Sequence, residues 1–134
     1  MTVAIWNARY ETGIELIDAQ HKSLFEAINR LAEAFRLGQS REQARECLAF
    51  LMKYVAEHFQ TEERFLHDVG YPELSAHRAE HDQLTGLTQD LAIRLASGEP
   101  VTMDVTIFIS DWLQRHIREV DLKYVAFLRD TGRN

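Results

Sequence analysis

Residues 71–84 read "YPELSAHRAEHDQL", and the spacing within this stretch decides the fold. Leu74, His77, His81 and Leu84 recur at intervals of three and four, which places them on one stripe of a helix. Pro72 suits the first turn of that helix, because proline lacks the N–H that a first turn leaves unused. A stripe that mixes leucine with histidine buries imidazoles, and buried imidazoles need partners. His77 and His81 also sit one turn apart, the spacing at which two rings can grip one metal ion.

The same periodicity extends in both directions. One stripe is His21, Leu24, Ile28, Leu31 and Phe35. A second is Leu48, Leu51, Val55, His58, Glu62 and Phe65. The third continues through Leu91 and Leu95, and the fourth is Val105, Ile109, Trp112, His116, Val120 and Tyr124. Gly38, Gly70, Gly98 and Gly132 punctuate the ends, where glycine tolerates the left-handed backbone that stops a helix. Asp18 is expected to cap the first helix, Ser40 with Gln43 to form a capping box, and Thr102, after Pro100, to cap the fourth. The expected helices are 19–37, 41–67, 72–97 and 103–130. Short connections make successive helices antiparallel, so the fold class is an all-α, up-down-up-down four-helix bundle. Residues 1–17 lack a clear period and read as an N-terminal arm, anchored by Trp6, Tyr10 and Ile14. Residues 1–134 form a single domain in this reading.

Composition narrows the function. The chain has 134 residues, 46% hydrophobic and 27% charged, with a formal net charge of −6. An acidic chain without a basic run is a poor partner for nucleic acid or an anionic membrane. No apolar stretch is long enough to span a bilayer, and no signal-like segment opens the chain, so a cytoplasmic protein without membrane insertion is expected. Cys47 is the only cysteine, which rules out an internal disulfide and fits a reducing compartment.

The polar residues inside the stripes are His21, His58, Glu62, His77, His81 and His116. Five histidines on the inner faces of four helices are a poor use of a small core unless they bind something. Their levels agree as well. His21 and His77 lie near helix starts, and His58 and His116 near helix ends, so an antiparallel bundle gathers them at one end. With Asp121 the set reads as H-x3-E (58–62), H-x3-H (77–81) and H-x4-D (116–121). Five imidazoles and two carboxylates exceed what one ion needs, whereas two carboxylate-bridged ions absorb them all. Structural zinc takes four ligands, and imidazole with carboxylate suits iron better than manganese or cobalt. Glu-x-x-His pairs, the mark of ferritin-like di-iron bundles, are absent, as is H-E-x-x-H.

Asp121 fits the stripe least well. Five residues advance an α-helix by about 500°, leaving Asp121 roughly 140° from His116. Either the side chain reaches round or the helix contains a π-bulge. Val120 and Tyr124 continue the unbroken stripe, while Tyr124 and Leu128 suit a shifted one.

Together, His21, H-x3-E, H-x3-H and H-x4-D resemble the hemerythrins, the single-domain bacteriohemerythrins above all. The flanks "GIELIDAQHKSLFEAIN", "HFQTEE" and "YPELSAHRAEH" agree, and the resemblance covers essentially the whole chain. It implies reversible O2 binding at a non-haem di-iron centre, two iron ions with an oxo or hydroxo bridge and O2 as ligand. One iron would take His77, His81 and His116, the other His21 and His58, with Glu62 and Asp121 bridging. The implied O2 pocket is Leu24, Phe59, Trp112, Leu113 and Ile117. The expected role is non-enzymatic oxygen storage, transport or delivery to an oxygen-consuming enzyme, by a monomer. The alternatives are an O2 or redox sensor acting through a partner protein, for which this chain offers no output domain, and a di-iron peroxidase-type enzyme, which would need a proton donor or substrate channel. His67 is expected at the surface. Glu63 is expected on a solvated or ligand-supporting face, Cys47, Met52 and Met103 in packing, and Arg78, Ala79 and Glu80 turned sideways or outward.

Overall fold

The computed structural model describes residues 3–38, 41–99, 101 and 103–132. Helix α1 spans Glu15–Arg36, α2 Arg41–Asp68, α3 Leu74–Ala96 and α4 Met103–His116. A π-helical segment, Ile117–Asp121, joins α4 to α5, Leu122–Asp130, so that the fourth rod is one continuous helix with a wide turn inside it. No strand occurs among the described residues. Helix α1 packs on α2 and α4, and α3 on α2 and α4, closing the four rods into a bundle.

Several boundaries differ from the sequence expectation. The first helix begins at Glu15, not at residue 19, and Asp18 is not its cap. The cap position is Ile14, which makes no side-chain hydrogen bond. The Asp18 carboxylate turns backward, accepting from the Thr12 N–H and hydroxyl, each at 2.8 Å, and from the Gly13 N–H at 3.3 Å. It ties the arm to the helix instead of starting the helix. The third helix begins at Leu74, so Pro72 lies two residues ahead of it. Ser40, Pro100 and Thr102 lie outside the described residues, and the Met103 side chain with them.

The turn between α2 and α3 holds the site together. Gly70, at φ 71°, takes the left-handed conformation. The Gly70 N–H donates to the His67 carbonyl and the Tyr71 N–H to the Leu66 carbonyl, the paired bonds of a Schellman stop. Tyr71 and Leu66 then pack together in one apolar cluster.

Two apolar clusters fill the bundle. The larger runs through Leu24, Ile28, Leu31, Leu48, Leu51, Val55, Phe59, Leu84, Leu91, Leu113 and Ile117. The smaller consists of Ile17, Leu66, Tyr71, Tyr124 and Leu128. Polar residues fall between the two clusters: His21 between Ile17 and Leu24, and Glu62 between Phe59 and Leu66. The site is therefore a polar layer plugged by hydrocarbon on both sides. The arm closes it laterally. Asn29 accepts from the Val3 and Ala4 N–H groups and donates to the Ala4 carbonyl. Tyr10 donates to Gln114, and the Trp6 ring comes within 6.2 Å of the His21 ring.

Candidate metal centre

His21 comes from α1, His58 and Glu62 from α2, His77 and His81 from α3, His116 from the last residue of α4, and Asp121 from the last residue of the π segment. All seven are buried, none more than 2% exposed. The pairs four apart reach the interior because about 400° of rotation returns a side chain to its own face. His116 and Asp121 reach it together because the π turn admits an extra residue, and a wide turn of this kind is often retained where function requires it. The shifted register also explains the stripe beyond it. Tyr124 and Leu128 are buried, whereas Val120 is only partly so.

The two carboxylates divide their oxygens between two groups of histidines. Glu62 Oε1 lies 2.7 Å from His77 Nε2 and 3.0 Å from His81 Nε2. Its Oε2 lies 3.5 Å from His58 Nε2 and 3.9 Å from His21 Nε2. Asp121 Oδ1 lies 3.0 Å from His77 Nε2 and 3.1 Å from His116 Nε2, while Oδ2 lies 3.2 Å from His21 Nε2. Two potential metal positions follow, each with donor atoms within 4.8 Å of one another. Glu62, His77, His81, His116 and Asp121 surround one, and His21, His58, Glu62 and Asp121 the other. Only the carboxylates are shared.

Many of these contacts are close without being hydrogen bonds. Nε2 of His21, His81 and His116 and both oxygens of Asp121 are buried and have no hydrogen-bond partner, and Nδ1 of His21 and of His77 is likewise unpartnered. A buried polar atom left unpaired costs about 1–3 kcal/mol, so a cluster of them is unfavourable unless something else occupies their lone pairs. The donor set fits divalent cations that accept imidazole nitrogen and carboxylate oxygen.

The cluster sets its own proton affinities. Burial alone would raise the carboxyl of Glu62, but His58, with the close approach of His77 and His81, holds it well below its usual range. Asp121 is lowered in the same way, against burial and the charge of Glu62, by His116 and His21. Both carboxylates are therefore anionic and ready to ligate. Burial pushes His58 down despite Glu62. Burial would also lower His77, but the adjacent carboxylates of Asp121 and Glu62 outweigh it and raise the ring to about 9. His116 is raised against burial by Asp121.

Behind the inner ring stands a second set of polar groups that the sequence expectation largely missed. His58 donates from Nδ1–H to Gln20 Oε1 at 2.8 Å. His81 donates from Nδ1–H to Glu63 Oε2 at 2.8 Å, and His116 from Nδ1–H to Glu80 Oε1 at 3.2 Å. These bonds fix the tautomer that leaves Nε2 free to face inward. Glu80 thus turns toward a ligand, not outward. Tyr124 donates its hydroxyl to Glu62 Oε2 at 3.0 Å, and burial with the two nearby carboxylates pushes its pKa well above the ordinary value. Of these four, only Glu63 was expected to support a ligand. Gln20, Glu80 and Tyr124 depend on how neighbouring rods meet.

The five residues implied as a gas pocket are all buried. Phe59 lies flat on the His81 ring, with centroids 3.7 Å apart and planes 2° from parallel. Trp112 stacks on His116 at 4.8 Å and 11°. Leu24, Leu113 and Ile117 fill the adjoining core. His67 is on the surface, with its side chain 73% exposed. Cys47 is a half-buried free thiol, and Met52 packs against the larger cluster.

No helix among the described residues is long and apolar enough to cross a membrane. Residues 12–128 match the family model of the hemerythrin HHE cation binding domain. The bacteriohemerythrin of Methylococcus capsulatus is 37% identical over 126 residues, spanning 92% of this chain and 95% of that protein. The bacteriohemerythrin of Pseudomonas aeruginosa is 33% identical over 129 residues, spanning 96% and 84%. Among solved structures, a wild-type hemerythrin matches with a TM-score of 0.85 at 37% identity, covering 91% of this chain and 95% of that one.

Proposed function

The chain belongs to the hemerythrin family, and from that premise we propose that it binds O2 reversibly at a non-haem di-iron centre and does so as a carrier, not as an enzyme. The observation that carries this reading is the division of oxygens. Glu62 and Asp121 each turn one oxygen toward His77, His81 and His116 and the other toward His21 and His58. Two ferrous ions held by these residues would supply the redox chemistry that reversible O2 binding needs.

The protein's contribution follows from its own residues. Three imidazoles and two carboxylate oxygens serve one half of the site, and two imidazoles and two oxygens serve the other. The half with His21 and His58 is one donor short, and a diatomic ligand has its opening there. Leu24, Phe59, Trp112, Leu113 and Ile117 form the dry wall that keeps water, and with it protons, from the site. Further reduction of a bound ligand needs a proton source. The Tyr124 hydroxyl, which reaches the site, is committed to Glu62 and holds its proton well beyond the usual range. A site that withholds protons favours return of O2 over its reduction, which supports storage, transport or delivery to an oxygen-consuming enzyme.

Iron content tests the ligand assignment. The reduced protein should hold two irons per chain, and His77→Ala should lose iron from the three-histidine half together with O2 binding. Full iron occupancy with unchanged O2 binding in that variant would refute the assignment.

A further inference from the structure

The histidines of the two halves are supported by groups of different charge. In the three-histidine half, His81 is backed by the Glu63 carboxylate and His116 by the Glu80 carboxylate. In the two-histidine half, His58 is backed by the neutral Gln20 amide; one ring in each half, His21 and His77, has no partner at Nδ1. The Gln20 amide is held in its orientation. Thr61 donates its hydroxyl to the Glu57 carbonyl, so its oxygen is free to accept from the Gln20 NH2. Gln20 Oε1 is thereby left to face His58.

A carboxylate behind an imidazole draws the Nδ1 proton toward itself and makes Nε2 a stronger donor, and it adds a negative charge near the cation; an amide does neither to the same degree. From this contrast we infer that the site fills in order. The three-histidine half takes the first divalent cation and holds it tightly, and the Gln20-backed half, which would meet O2, takes the second and holds it loosely. Arg78 pairs with Glu63 at 3.1 Å and offsets part of that carboxylate's charge. Its side chain is half exposed, however, so the offset is screened. The shorter contact makes Glu63 the stronger of the two supports. The inference rests on the proposed ligand set.

The test is an anaerobic titration of the metal-free full chain with Fe2+ against a chromophoric chelator, together with a zinc titration followed by histidine 15N NMR. Two ions should bind in resolved steps, the first at least roughly tenfold tighter. One equivalent of Zn2+ should shift the Nε2 resonances of His77, His81 and His116 before those of His21 and His58. Glu63→Gln keeps the acceptor but removes the charge. It should weaken the first step by roughly 10- to 100-fold and move the His81 Nδ1–H resonance upfield, with Glu80→Gln acting more weakly. Gln20→Glu should tighten the second step and narrow the gap. The NMR titration of the unaltered chain decides the matter even if a variant fails to fold. Two ions binding with equal constants, or filling the His21 and His58 half first, overturn this inference alone. Failure to bind two ions overturns the ligand set as well.

Discussion

His116 and Asp121 are five residues apart, and Nε2 of one lies 3.1 Å from Oδ1 of the other. Only the π turn over Ile117–Asp121 makes that possible, since a regular helix would carry Asp121 to another face. Deleting the exposed Glu119 leaves His116 and Asp121 four residues apart, a spacing that a regular α turn returns to one face. The variant should close the wide turn, keep two irons per chain and keep its helical circular dichroism. Iron content falling to one or fewer in the deletion variant would mean that the wide turn does more than absorb the extra residue.

Tyr124 and Glu62 give a second prediction. The phenol is buried and donates to a carboxylate that is buried too. Tyr124→Phe removes the donor and leaves the ring packing in place. The metal-free protein should lose about 1–3 kcal/mol, read as a lower urea midpoint at unchanged slope. The loss should be smaller in the iron-loaded protein, where the cations share the charge of Glu62.

The raised pKa of His77 sets the pH response of the metal-free protein. Its folded value is about 9, against 6.5 for the free side chain. The protonated ring therefore contributes stability fully below about 6.5, and that contribution disappears as pH rises through about 9. It amounts to no more than about 3 kcal/mol. Glu62 and Asp121 act in the opposite direction. Their lowered values supply stability above the ordinary carboxyl range that is lost on acidification. Urea melts of the metal-free chain should show a decline between pH 7 and 10, and His77→Gln should flatten it. Because cations and protons compete for the same nitrogens, iron affinity should fall as pH is lowered.

The dry wall yields a fourth prediction. Ile117 is fully buried beside the site. Ile117→Thr replaces the ethyl branch by a hydroxyl, which opens space at the wall and can hold water or a proton. Autoxidation of the oxygenated protein should accelerate, by about tenfold, with iron content unchanged. A variant that autoxidises at the original rate would show that this wall does not protect the bound gas.

The gathering of the seven candidate ligands was legible because spacing and topology are both written in sequence. Intervals of three and four put His58 with Glu62 and His77 with His81 on inner faces, and antiparallel order brought His21 and His116 to their level. The π turn was not legible, because Tyr124 fits a stripe in either register; the burial of Leu128 and the partial exposure of Val120 distinguish the two. The start of α1 was misplaced because Asp18 has the chemistry of a cap, yet its carboxylate is taken by Thr12 and Gly13. Gln20 and Glu80 sit beside ligands on their own helices and serve ligands on others. Only the approach of α1 to α2 and of α3 to α4 reveals their partners.

The most direct test of the central claim is a visible spectrum recorded while the reduced, iron-loaded protein is cycled between O2 and argon. Charge-transfer bands should appear with O2 at one O2 per two irons, vanish under argon, and return over repeated cycles. Irreversible oxidation on the first exposure, or O2 consumed without recovery of the reduced spectrum, would contradict a carrier.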